Sequence, residues 1–142
     1  MQKNIFKIIS VCLLALALFS CSDSNSSEPS SLIYNQWQRH IVENDTLQFD
    51  GTITFNKNST FNFVINDTVK GHINTTSDFE LLPGNKMKFF SDNECQNEAV
   101  YNYTFTNNNT TLVLQSVVED CHVRMFVLEG EWTLLPQPQP DK

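Results

Sequence analysis

Residues 52–65 read Thr-Ile-Thr-Phe-Asn-Lys-Asn-Ser-Thr-Phe-Asn-Phe-Val-Ile. Apolar and polar residues alternate on both sides of a polar quartet. Ile53 and Phe55 fall on one face before it, and Phe61, Phe63 and Ile65 on one face after it. A period of two is that of a half-buried β-strand, and Asn56 to Ser59 carry turn chemistry, so the stretch predicts an antiparallel hairpin.

The same reading extends outward in both directions. Upstream, Leu47-Gln48-Phe49 alternates. Downstream, Asn66-Asp67 signals a turn, and Val69 to Thr75 predicts a weaker strand with Val69, Gly71 and Ile73 together. Phe79 to Leu82 predicts a short strand. Pro83-Gly84-Asn85 is a turn, followed by Lys86 to Phe90 with Met87 and Phe89 on one face. Tyr101, Tyr103 and Phe105 then alternate with polar residues across 99–106. Asn107 to Asn109 form a turn, because Asn tolerates left-handed backbone. Leu112 and Leu114 mark a strand over 110–118, and Glu119-Asp120 a turn. Val123, Met125 and Val127 predict a strand over 122–128, and Trp132 to Leu135 closes the sheet. No long segment carries helical periodicity. The expectation is all-β, with about eight to ten short antiparallel strands in a barrel or sandwich.

The chain ends read differently. Lys3 and Lys7 precede a short apolar run, Ile8 to Phe19, which fits a secretory signal rather than a membrane span. The run ends in Leu18-Phe19-Ser20-Cys21. This resembles the bacterial lipobox, where the chain is cut before a Cys acylated on its thiol. Ser22 to Ser31 reads SDSNSSEPSS, a composition that cannot bury itself and suits a tether. The expected organisation is a signal peptide over 1–20, an acylated Cys and tether over 21–31, a barrel over 32–135 and a Pro-rich tail over 136–142. The chain is then held in the cell envelope through Cys21, expectedly at the outer membrane. Asp23 and Glu28 resemble sorting signals of more than one kind and leave the membrane face open.

Charge and cysteines narrow the function classes. Two of the nine basic residues precede Cys21 and all 16 acidic ones follow it, so the part after it carries a net charge of −9. That argues against nucleic acid as a partner. Of four Cys, Cys12 leaves with the signal peptide and Cys21 carries lipid. Export leads to an oxidising compartment, so Cys95 and Cys121 are expected to form a disulfide. A metal or redox pair lacks the usual CxxC spacing. If 99–106, 110–118 and 122–128 form a meander, both Cys fall at the same end of it, a short reach at strand spacings of about 4.8 Å.

The order of these features resembles the lipocalin-like lipoproteins of the Bacteroidetes, within the wider calycin group. The resemblance rests on Cys21, the tether, Trp37, TITFNKNSTFNF, YNYTF and DCHVRMFVLEGEWTLL, and spans most of Leu32 to Leu135. It implies an eight-stranded up-and-down barrel. It also implies a Trp of the first strand packed against an Arg from near the end of the barrel. Trp37 matches the Trp and Arg124 the Arg, with Arg39 as the second candidate; Asn35 stands where the family has Gly.

Two functional readings follow, from different classes. The first is a small apolar ligand inside the barrel, in a cavity lined by Phe55, Phe61, Phe63, Tyr101, Tyr103 and Phe105. The second is a non-catalytic interaction or accessory subunit whose barrel is filled by its own side chains, with an envelope protein as partner. Val64, Leu82, Phe90 and Val113 are then candidates for an exterior apolar patch. An enzyme is not expected, since His40, His72 and His122 are scattered and no nucleophile motif accompanies them. No cofactor or metal motif is present. Asp92, Glu94 and Glu98 lack the Gly of a calcium loop and read as a solvated acidic segment. Asp45-Thr46-Leu47 and Asp67-Thr68-Val69 resemble a short O-glycosylation motif, with Thr46 and Thr68 as acceptors.

Overall fold

The computed structural model describes residues 29–44, 47–65 and 74–136. A helical turn α1 (Pro29–Leu32) leads into β1 (Gln36–Asn44), β2 (Leu47–Phe55) and β3 (Thr60–Ile65). Then come β4 (Thr75–Leu82), β5 (Lys86–Phe89), β6 (Ala99–Thr106) and β7 (Thr111–Val118). A short helix α2 (His122–Leu128) precedes the last strand, β8 (Gly130–Leu134). Each strand pairs antiparallel with the next, and β8 returns to β1 through Trp37↔Leu134 and Gln38↔Thr133, so the sheet is a closed up-and-down barrel of eight strands.

The hairpin expected at 52–65 is present. Ile53 faces Phe63 and Phe55 faces Phe61 across β2 and β3. Ser59 closes the turn at φ 65°, with Asn56 N–H bonded to the Thr60 carbonyl at 2.8 Å. The other turns use the residues that tolerate left-handed backbone: Gly84 and Asn85, then Asn107, Asn108 and Asn109 in succession. The turn expected at Asn66-Asp67, and residues 69–73 of the weaker strand, lie outside the described residues. Of that strand only its end, Asn74 and Thr75, is seen, and Thr75 opens β4, which runs on through the short strand expected at 79–82.

Period-two burial fills the barrel. Trp37 and Ile41 of β1, Ile53 and Phe55 of β2, and Phe61 and Phe63 of β3 all point inward. Met87, Phe89, Tyr101, Tyr103, Leu112, Leu114 and Trp132 complete the core. Aromatic rings touch across the interior. Phe55–Phe79 and Phe61–Phe89 lie edge-on at 5.0 Å, Phe89–Tyr101 at 5.4 Å, and Phe63 of β3 meets Trp132 of β8 at 6.4 Å. An eight-stranded barrel is narrow enough for side chains to fill it, and rings do so here.

One expected element is of the wrong type. Residues 122–128 are helix, not strand. The strand reading put Val123, Met125 and Val127 on the inner face. The buried residues are instead Arg124, Val127 and Leu128, spaced i, i+3, i+4 as on one helix face. A short apolar run does not by itself separate the two periods.

Two tryptophans hold the segments that precede their strands. Trp37 donates its indole N–H to the Ile33 carbonyl at 3.2 Å, and Trp132 donates to Leu128 at 2.9 Å. Strand directions fix the ends. β1 begins and β8 finishes beside each other, so the described chain enters and leaves at one end of the barrel. The helix α2 and the 90–98 connection lie at the opposite end, where β5 and β7 finish.

Gly130 joins α2 to β8 at φ 129°, a conformation side chains rarely adopt. A Cβ there would also stand 2.8 Å from the Arg39 guanidinium carbon. Gly130→Ala is expected to destabilise the fold by about 2–3 kcal/mol. Urea unfolding measures this, and a change under 0.5 kcal/mol, roughly a surface substitution's effect, would mean that the junction relaxes freely.

Candidate functional site

The features that a period-two reading does not place collect at the end of the barrel opposite the termini. There α2 is held in three ways. Cys121, its N-cap residue, is joined by a disulfide to Cys95 in the 90–98 connection, with Cα atoms 5.6 Å apart. The expected pairing is therefore correct, although the third element of the meander is a helix. Arg39 points into the barrel from β1 and donates to the carbonyls of Val127 and Glu129, where the helix leaves its last acceptors unsatisfied. Burial lowers the Arg39 pKa, and the Glu129 charge partly offsets this.

The third hold is Arg124. Its side chain is 4% exposed and faces a Glu119 side chain that is 0% exposed. The guanidinium grips both carboxylate oxygens, Nε to Oε2 at 2.7 Å and Nη2 to Oε1 at 3.1 Å. It also donates to the carbonyls of Phe90 at 3.1 Å and Asn97 at 2.6 Å. Tyr101 Oη donates to Glu119 at 2.7 Å, as does the Cys121 backbone N–H at 2.8 Å. Desolvation pushes the Glu119 carboxyl up, but these donors outweigh it and hold the group below its ordinary range. Burial, with the Glu119 carboxylate beside it, pushes the Tyr101 hydroxyl far above its usual range, so it stays a donor. Such a network, fully bonded, positions α2.

Two depressions flank this network. An apolar cleft of about 40 Å³ lies between β3 and α2, floored by Phe61, Phe63, Val127 and Leu128. It has room for a water or two, well short of the roughly 300–1,000 Å³ of ordinary small-molecule sites. A polar groove of about 430 Å³ adjoins it along the first half of β4, where β5 has ended and the chain turns away at Ser91 to Glu94. Thr75, Asp92 and Glu94 border both. Asp92 shapes the turn by accepting the backbone N–H groups of Glu94 at 2.9 Å and Cys95 at 2.7 Å.

The residues singled out in the sequence fall as follows. Phe55 is packed inside the barrel, and Tyr103 and Phe105 pack against each other near Trp37. Phe61 and Phe63 fill the interior with one edge in the small cleft, and Tyr101 serves the Glu119 network. Trp37 and Arg124 do not form the expected pair. Trp37 sits at the end where β1 begins and β8 finishes, tilted against Phe105 at 5.7 Å, whereas Arg124 rides on α2 at the far end. Because 122–128 is a helix of the far end, it cannot deliver an Arg to the start of β1. The expected exterior patch is also absent: only Val64 of its four residues is an exposed large hydrophobic, and Leu82, Phe90 and Val113 are half-buried. His40 bonds Asp50 at 2.9 Å across β1 and β2, His122 opens α2, and His72 lies outside the described residues. Cys21, Thr46 and Thr68 also lie outside them. Among the described residues, no group of His, Cys, Asp and Glu is placed to hold a metal.

Sequence reading missed the groove and the Arg124–Glu119 pair. The spacing of Arg124, Val127 and Leu128 is the one signal for the helix that carries Arg124, and the groove, left where β5 ends, has none. The chain matches no protein-family model and no curated protein.

Proposed function

We propose that this chain is a lipid-anchored, non-catalytic module of the cell envelope, lipocalin-like in architecture, that works through the helix-capped end of its barrel. The observation that carries this reading is the ring-filled interior, which leaves the open space at the rim rather than along the barrel axis. The arrangement of the ends supports it. An acyl chain on Cys21, followed by a short tether, would hold the terminus-bearing end toward the membrane and turn α2 and the groove outward. The outer membrane suits the sequence before the barrel. The apolar-carrier reading is the weaker one, because Phe55, Phe61, Phe63 and Tyr101 are 5% exposed or less and touch one another or other core rings.

One experiment tests both parts. Native mass spectrometry is run on the full-length product recovered from its host envelope, beside a Cys21→Ala variant. The parent is expected to start at Cys21 and carry acyl mass, with no added mass that disappears on denaturation. The variant is expected to lack the acyl mass and to leave the membrane fraction. A retained small molecule would restore the carrier reading, and a variant that fractionates like the parent would overturn the anchor.

A further inference from the structure

We propose that the groove between β4 and the Ser91–Glu94 turn is a binding site for a neutral saccharide chain. This rests on the reading of the helix-capped end as the working end of the molecule. At about 430 Å³ the groove falls within the size range of small-molecule sites, and the apolar cleft beside it does not.

The lining selects among ligands. Among the described residues it contains no apolar side chain and no cation, so this lining offers nothing to a lipid and repels an anion. Six of its nine described residues are uncharged hydroxyl or amide residues, among them Asn74, Thr76, Ser77 and Asn93. Three carboxylates remain, and one of them is already committed: Asp92 is 7% exposed, accepts two backbone N–H groups and faces Arg124 at 3.9 Å. A site for a cation would need that charge free. What is left is a mixture. Asp78 and Glu94 offer acceptors only, Asn93 offers both donors and an acceptor, and among the described residues no hydrogen bond engages these three side chains. A sugar hydroxyl is one donor and two acceptors, so a row of hydroxyls is matched by such a mixture.

The wall of the groove is set firmly enough to present these groups. Thr76 is fixed by its hydroxyl bond to Asn62 at 2.9 Å, and Asn74 receives the Ile65 N–H at 3.1 Å. On the other side, the disulfide at Cys95 and the Asp92 turn hold Asn93 and Glu94 in place. The site is preorganised, which limits the ordering cost of binding.

Native affinity electrophoresis of the full chain in mild detergent tests this. The gels contain starch, mannan, arabinoxylan, galactomannan or mixed-linkage β-glucan, and oligolysine serves as the cationic control in parallel titrations. The parent is expected to be retarded by at least one of the five polysaccharides. The double variant Asp78→Ala/Asn93→Ala is expected to bind that polysaccharide at least about tenfold more weakly, which corresponds to about 1.4 kcal/mol, with an unchanged unfolding midpoint. Three results would overturn the proposal: no retardation by any of the five, retardation equal in parent and variant, or binding to oligolysine alone. None of these touches the anchoring and ring-filled barrel, which the mass measurement reads separately.

Discussion

Arg124→Leu should lower the unfolding free energy by about 3–5 kcal/mol, because it strands a buried carboxylate. Glu119 is 0% exposed and receives two of its charge-assisted bonds from Arg124. Without that guanidinium, Tyr101 Oη and one backbone N–H remain, too little to replace the water lost. The backbone carbonyls of Phe90 and Asn97 lose their donor as well, which loosens the 90–98 connection from α2. Adding Glu119→Gln should recover part of the loss, since a neutral amide costs less to bury than an unpaired charge.

The pH dependence gives this prediction a sign. In the parent, the folded-state pKa of Glu119 lies below its ordinary value of 4.5. Its contribution is therefore present above that value and is lost as pH falls through the folded pKa. In Arg124→Leu the desolvation that opposes ionisation is no longer outweighed to the same degree. Acidification relieves the variant while it weakens the parent, so the gap between them should narrow below about pH 4.5. Denaturant unfolding at several pH values measures it. A gap that stays constant, or a loss under about 1 kcal/mol, would show that the pair behaves as a solvated one.

Breaking the Cys95–Cys121 bridge is the second large effect. It closes a loop with a sequence separation of 26. Chain-entropy arguments give about 3.5 kcal/mol for a loop of that size. For a domain this small, that is about 15 °C or more in Tm. Cys95→Ser with Cys121→Ser, or reductant on the parent, should show the drop by calorimetry. The effect also has a local consequence: the bridge ties the N-cap of α2 to the turn that forms one wall of the groove. Loss of saccharide retardation under reductant, at a temperature where the barrel is still folded, is the expected companion result. An unchanged Tm would mean that the bridge constrains neither the unfolded chain nor the helix.

The two predictions act on the part of the molecule that was hardest to read. Residues 52–65 and 99–118 announce their structure through side chains two positions apart and through Asn-rich turns, all within one hairpin's length. The 122–128 segment carries β-branched and aromatic residues in a run too short to show a period. Its conformation is selected by partners far away in the chain. Arg39 reaches the Val127 carbonyl from 88 residues upstream, and Arg124 reaches the Phe90 carbonyl across 34. Glu119 illustrates the same limit. Beside Asp120 it reads as a turn residue, yet its side chain is fully buried against Arg124.

By itself, then, the sequence determined the all-β class, the hairpins, the positions of most turns and the pairing of Cys95 with Cys121, because alternation and turn chemistry are local properties of the backbone. Tertiary structure alone decided that α2 is a helix, that Trp37 and Arg124 stand at opposite ends, and that aromatic rings fill the interior. It also decided that β5 ends early enough to leave a polar groove beside β4. Each of these depends on which side chains meet across the closed barrel, and closure joins residues that no stretch of sequence holds together.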